Sequence, residues 1–455
     1  MNNWFQRRLE IAEMNSNSQS VAMKYFWLFS TQVAQAQIVS TFLVLFLLDI
    51  LTYTELGLLL AIQFAIIALL DYPTGALGDA IGQKAVLMLA YGAYAIAIVF
   101  LLQADSLIGF FPWAIFSAIG ASQESGALQS WFDNNYKVTI GDLDPDRKIY
   151  GAFLGKIQAN WRLISGTMFI AGGVIAGAFS REILFRIQFC LVLVALGLII
   201  TLMNNEEGVE APQRTLRAYF DRLTGGVRFA ASSRGTLLFF LGLTVYGTTG
   251  AIWGSLMLFP FYASYSGPDE YTGLLRAILF LTGIILLLLM ANLTKKIEKP
   301  HRVLFLSNFM VGFVFFCLVF GFYEVIPPPN KFVLNSYLAV IILFQWVGIW
   351  LPLQTILQGR LMLELVPDKY RNAVYSLIPS LILCLSVPLI AVGGFLISNQ
   401  GFSAGILFIV GLDLVAATFL GLGLYWLAKP RPIEFPPGED MIEPLQEKIP
   451  TQVSG

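Results

Sequence analysis

The chain has 455 residues, 57% of them hydrophobic and 13% charged, with a net charge of −1. Soluble domains carry about a quarter charged residues. The low charge and a mean hydropathy of +0.71 therefore exclude an ordinary water-solvated globule, and the near-zero balance gives no basis for a nucleic-acid partner. With lipid as solvent, backbone groups must be satisfied within the segment, which demands helices or a closed barrel. The apolar runs here are long and continuous, not the short alternating segments of a barrel.

Residues 1–24 form an N-terminal tail with Arg7 and Arg8 but no apolar stretch before a cleavage site, which predicts a cytoplasmic tail and not a signal peptide. Apolar runs follow at approximately 25–48, 55–74, 85–103, 108–132, 150–178, 184–203, 236–262, 271–291, 303–322, 336–357, 373–397 and 403–427. The longest polar break, Asn204 to Arg234, leaves six runs on either side. That predicts an all-α integral membrane protein of 12 transmembrane helices in two pseudo-symmetric six-helix halves, 25–203 and 236–428, joined by a cytoplasmic linker at 204–235. In the linker, Leu216, Tyr219, Phe220, Leu223, Val227 and Ala230 repeat at helical spacing beside Arg214, Arg217 and Arg228. The pattern reads either as an amphipathic helix on the inner leaflet or as a connector packed on the bundle. Residues 429–455, rich in proline and then in acids, are expected to be a disordered cytoplasmic tail.

With the N-terminus inside, 23 basic residues fall on the inner side, four (Arg181, Arg186, Arg276 and Lys331) on the outer side, and Arg162 within a run. The positive-inside rule then places both termini in the cytoplasm, in a multi-pass plasma-membrane protein. Cys190, Cys317 and Cys384 lie far apart in apolar runs and read as buried thiols, not metal ligands. The single histidine, His301, sits in a polar break, which excludes a histidine proton relay in the membrane. No phosphate-binding G-x-x-x-x-G-K-[ST] loop occurs, so ATP is not the direct energy source and no cofactor is expected.

The break between runs two and three reads Gly75-Ala76-Leu77-Gly78-Asp79-Ala80-Ile81-Gly82-Gln83-Lys84-Ala85-Val86-Leu87. It resembles the G-x-L-a-D-r-x-G-r-k-x-x-l signature of the major facilitator superfamily, departing from it at Ala80 and Gln83. The resemblance implies a cytoplasmic latch in which Asp79 locks the two halves and Lys84 supports it. Equivalent breaks, Pro145-Asp146-Arg147-Lys148 and Pro367-Asp368-Lys369-Tyr370-Arg371, resemble the family's pattern and add Arg371 to the latch. Ser122 stands where proton-coupled members carry an arginine.

Charges deep in a span are functional hypotheses by default. Glu124, Arg162 and Asp413 are deep. Glu124 and Arg162 lie at depths that differ by about one turn on sequential spans, so they are expected to approach each other, with Gln158, Arg162 and Ser165 on one stripe. Asp413 is expected to make a structural hydrogen bond. Gln32 and Gln35 in run one, Tyr246, Thr249 and Trp253 in run seven, and Trp346, Trp350, Gln354 and Gln358 in run ten form polar or aromatic faces. Amides are costly in lipid unless turned inward, so these faces are expected to line a cavity or to pack between helices. The expected function is secondary active transport of a small organic solute by alternating access. Proton-coupled export of drug-like compounds is the first reading and metabolite uptake the second. The chain is expected to act as a monomer in the bilayer with H⁺ as coupling ion. A non-transporting sensor on a transporter scaffold is the reading of a different class, which the short tails argue against, and a membrane enzyme would need clustered His, Asp or Ser chemistry that the sequence does not show.

Overall fold

The computed structural model describes residues 8–204, 224, 226–294, 296–297 and 299–428, with the side chains of 71–80, 292, 368–373 and 376 outside the description. The described residues form helices and no strand. In chain order the helices are α1 (Ser16–Leu48), α2 (Tyr53–Ile81), α3 (Gln83–Gln103), α4a (Leu107–Glu124), α4b (Ala127–Ile140), α5 (Lys148–Ala178) and α6 (Arg181–Leu202). They continue as α7 (Arg234–Ser266), α8 (Asp269–Thr294), α9 (Pro300–Val325), α10 (Leu334–Leu365), α11 (Asp368–Gln400) and α12 (Phe402–Leu427). Among the described residues, 11 helices are long and apolar enough to cross a membrane. The fourth run is the exception because it is divided: Gly126 takes φ +71°, a left-handed conformation that glycine adopts without strain, and separates α4a from α4b.

The sequence places run two at 55–74, but α2 continues to Ile81. The signature segment is therefore helical almost to its end, and the turn shrinks to Gly82, whose φ of +86° only glycine takes readily. Residues 74–81 hold no further proline, and Gly75 and Gly78 weaken a helix without ending it. Helix α1 is interrupted at Thr41–Phe42, and α7 and α9 each widen into a π-turn, at Trp253–Met257 and Met310–Val314. Cys190, Cys317 and Cys384 are free and exposed on the protein surface, not buried.

In the first six helices α1 packs on α4b, α5 and α6, while α4a packs on α2 and α3. In the last six α7 packs on α11 and α12, and α9 on α10 and α12. The two sets meet through α2 against α11 and α5 against α8. Both crossings are made at glycines. A Cβ on Gly57 of α2 would lie 2.8 Å from the Ile390 carbonyl oxygen and 3.1 Å from Cα of Gly394 on α11. A Cβ on Gly173 of α5 would lie 2.9 Å from the Asp269 carbonyl oxygen and 3.0 Å from Cα of Gly273 on α8. Small residues let backbones approach where lipid provides no hydrophobic drive between helices. Both crossings lie near the helix ends opposite the face where α1 starts and α12 ends.

Candidate functional site

Among the described residues, polar centres inside the helical bundle include one in the N-terminal half and one between the halves. The first belongs to the N-terminal half. Glu124 is the last residue of α4a, directly before the break at Gly126. Its Oε1 accepts hydrogen bonds from Gln32 Nε2 of α1 at 2.7 Å and from the Tyr91 hydroxyl of α3 at 3.0 Å. Its Oε2 accepts from the Tyr94 hydroxyl at 2.7 Å. Beside it, Gln32, Tyr91, Leu87 and Leu128 line a cavity of about 10 Å³, close to the volume that admits one water.

The expected approach of Arg162 to Glu124 is not formed. Helix α4a packs on α2 and α3, so its terminal carboxylate turns toward α1 and α3, and three neutral donors meet it there. Sequential spans are not neighbours at this depth. Arg162 instead faces α8, in the second centre. This is a cavity of about 390 Å³ lined by Trp161 and Arg162 of α5, Leu258 and Tyr262 of α7, Arg276, Leu279, Phe280, Gly283 and Ile284 of α8, and Phe344, Gln345, Val347, Gly348 and Leu351 of α10. It lies between the two halves and is within the usual size of a small-molecule site. Trp161 and Phe280 meet edge-to-face at 5.3 Å, and Gln345 donates to Thr282 Oγ1 at 3.0 Å. The Arg276 guanidinium lies 3.9 Å from the ring centre of Phe169 and 4.6 Å from that of Phe259. Its Nη1 donates to Ser40 Oγ at 2.7 Å and Thr41 Oγ1 at 2.8 Å, where α1 is interrupted.

The end opposite the termini is closed by more than the glycine crossings. Arg181 of α6 holds Asp269 of α8 through Nε and Nη2, at 2.8 and 2.9 Å, and holds Asp49 through Nη1 at 2.8 Å. Arg181 and Asp49 belong to one half and Asp269 to the other. The Thr54 backbone N–H of α2 donates to Ser398 Oγ of α11 at 3.0 Å.

The remaining expected residues sort by half. Gln35 is buried and accepts from Gln188 Nε2 of α6 at 3.3 Å. Gln158 is exposed and Ser165 is buried on the same face of α5 as Arg162. Tyr246 donates to Gln354 Oε1 at 2.9 Å, and Gln354 Nε2 donates to Asn308 Oδ1 at 2.8 Å. Trp253 packs on Phe261 and Phe316. Trp346 donates through Nε1 to the Met310 carbonyl at 2.8 Å and lies 6.2 Å from Trp350, ring to ring. These five residues of α7 and α10 turn toward α9, α10 and each other, away from the cavity. Asp413 of α12 accepts from Thr249 Oγ1 at 2.8 Å through Oδ1 inside the same half, while its Oδ2 is buried with no hydrogen-bond partner among the described residues.

Of the latch, the side chains of Gly75, Leu77, Asp79 and Arg371 lie outside the described residues, as do most of the linker and the C-terminal tail. Lys84 is described. Its ammonium donates to the Ile200 carbonyl at 2.7 Å and to Asn204 Oδ1 at 3.3 Å, capping the C-terminus of α6, a favourable place for a cation. Sequence reasoning missed Tyr91, Tyr94 and Arg276. The tyrosines share one helix face at i, i+3 within an apolar run, and Arg276 stands five residues after the assigned start of run eight, where it was counted as an outer-end charge.

Comparison with known proteins agrees with this architecture. The family model of the Major Facilitator Superfamily matches residues 26–386. No curated protein sequence matches the chain. Among solved structures, the nucleoside transporter NupG superposes with a TM-score of 0.68 at 12% identity, covering 90% of this chain and 99% of its own. A POT family transporter in complex with 5-aminolevulinic acid superposes with a TM-score of 0.61 at 13% identity, covering 90% of this chain and 95% of its own. At these identities the likeness carries the fold, while the sequence match carries the family. The chain is a member of the Major Facilitator Superfamily, a multi-pass membrane transporter.

Proposed function

We propose that this transporter moves a small organic solute by alternating access, as a secondary active carrier, with Glu124 carrying the coupling proton. The observation that supports the solute path is the cavity between the halves, bounded by α5 on one side and α7, α8 and α10 on the other. A site at the interface of two rocking halves is where such carriers bind their cargo. Closure at the glycine crossings and at Arg181 leaves the cavity to be reached from the face that carries the termini, which the distribution of basic residues assigns to the cytoplasm.

Glu124 supports coupling because a carboxyl met only by neutral donors can be held as the acid or as the carboxylate. Beside it, the left-handed Gly126 gives α4 a hinge, so movement of α4b changes what surrounds the carboxyl. Both directions of transport are compatible with this arrangement. Two guanidiniums at the cavity oppose an organic cation.

The test is transport in proteoliposomes under an imposed pH gradient, with a panel of metabolites and drug-like compounds. A transported compound is expected to lose its gradient-driven accumulation in Glu124→Gln while solute exchange at equal pH continues. Accumulation that survives both Glu124→Gln and collapse of the pH gradient overturns proton coupling. A panel in which nothing moves overturns small-solute transport.

A further inference from the structure

Resting on the transport reading above, we infer that the cavity between the halves takes an organic anion with an apolar body, its charged group held by Arg276, with Arg162 adding positive charge farther along the same wall. The cavity wall contains two guanidiniums and no Asp or Glu. Charges within a membrane are expensive and pair with one another or serve a ligand. Among the described residues Arg162 has neither a hydrogen-bond nor a carboxylate partner, and the only acceptors that Arg276 reaches are the hydroxyls of Ser40 and Thr41. Those two bonds use Nη1 alone, which leaves Nε and Nη2 of Arg276 to form the fork that matches a carboxylate or phosphate. The rings of Phe169 and Phe259, at 3.9 and 4.6 Å, hold the guanidinium in place.

The rest of the wall fits the body of such a solute. Trp161, Tyr262, Phe280 and Phe344 supply apolar and aromatic surface. The two arginines belong to different halves. Arg162 lies eleven residues along α5 from Gly173, and Arg276 three residues along α8 from Gly273, where the helices cross. Their backbone heights therefore differ by about 12 Å. A bound anion near Arg276 would lie beside the α1 interruption, so its charge is read by both halves at once. An organic cation would face two positive groups with no counter-charge, and a neutral solute would leave both guanidiniums uncompensated.

The experiment uses the full-length protein in detergent and reads quenching of tryptophan emission, since Trp161 lines the cavity, confirmed by calorimetry. The probes are 4-phenylbutyrate, 4-phenylbutyl phosphate, 4-phenylbutanol and 4-phenylbutylamine, which share one body and differ in charge. The expected result is at least ten-fold tighter binding of one of the two anions than of the alcohol or amine. The ratio of carboxylate to phosphate affinity then identifies the anionic group. Arg276→Gln is expected to remove that preference and Arg276→Lys to keep part of it. Should Arg276→Gln not give a monodisperse protein, Arg162→Gln, whose side chain holds no other helix, is expected to weaken the anion several-fold and leave the alcohol unchanged.

Equal binding of anion, alcohol and amine, or binding of none of them, overturns the inference, as does an unchanged preference in both arginine variants. The transport reading fails separately. Gradient-driven movement of a cation or neutral compound sinks the anion site alone, whereas anion binding at the arginines without movement of any compound sinks transport alone.

Discussion

At the scale of the residue, the Glu124 carboxylate and the Arg276 guanidinium are met by neighbours from other helices, and that is why part of the site could not be read from one stretch of sequence. Glu124 stood out because a carboxylate deep in an apolar run is rare. Its partners did not, because tyrosines in an apolar run read as packing until a carboxylate is known to face them. Arg162 was found for the same reason as Glu124, but its direction depends on α5 packing against α8, which spacing along the chain does not encode. Asp144, in the connection between α4b and α5, is a case outside the membrane. It accepts from the Tyr136 hydroxyl at 2.9 Å and from the backbone N–H groups of Ile149 at 3.1 Å and Tyr150 at 2.9 Å, so it ties the start of α5. Burial favours its neutral form, but these donors outweigh it and hold the carboxyl below its ordinary pKa of 3.8. A depressed native value stabilises the fold fully above the ordinary pKa and loses that contribution as pH falls through the native one. Asp144→Asn is therefore expected to melt lower than the parent at pH 7, by about 1 kcal/mol of stability. The gap should close below pH 3.8. A gap of constant size across that range would remove the charge from the account.

At the scale of the element, hydropathy found the spans, while their interruptions follow from backbone geometry that composition does not announce. Gly126 looked like one small residue among several, yet its left-handed φ divides the fourth span. On α5 and α11 the structure uses Gly173 and Gly394 as crossing points for partners in the other half. The bridge from Arg181 to Asp269 and Asp49 adds charge-assisted bonds to the same closed end. In a chain whose three cysteines are replaced by serine, cysteines at Thr54 and Ser398 are expected to cross-link readily. Arg181→Ala should slow that reaction roughly ten- to a hundred-fold, in line with ~1.5–3 kcal/mol for a charged hydrogen bond. An unchanged rate would mean that the glycine crossings alone hold this end together.

At the scale of the whole molecule, the helical spans were legible, because lipid leaves so few ways to satisfy a backbone. The family was legible too, from one signature segment, although that segment proved to be helix ending in a single turn at Gly82. The cavity was not legible, since it exists only where α5 meets three helices of the other half. If alternating access is the working cycle, the closed end must open once per turnover. Oxidising the Thr54/Ser398 cysteine pair is therefore expected to stop transport, and reduction to restore it. Full activity in the cross-linked protein would count against rocking of the halves.

The position of the glycine crossings also fixes the leverage of that motion. Helix α5 runs from Gly173 back to Lys148, an arm of about 37 Å at 1.5 Å per residue. In the step that closes the far end, turning one half by ~10° about the crossing would sweep that end by roughly 6 Å, by the same helix rise, and the crossing itself separates only in the step that opens the other end. A solute too small to push helices apart needs only to tip such a lever. The converse is that a bulky side chain at the fulcrum, at Gly57 or Gly173, should impair motion far more than the same side chain at the tip.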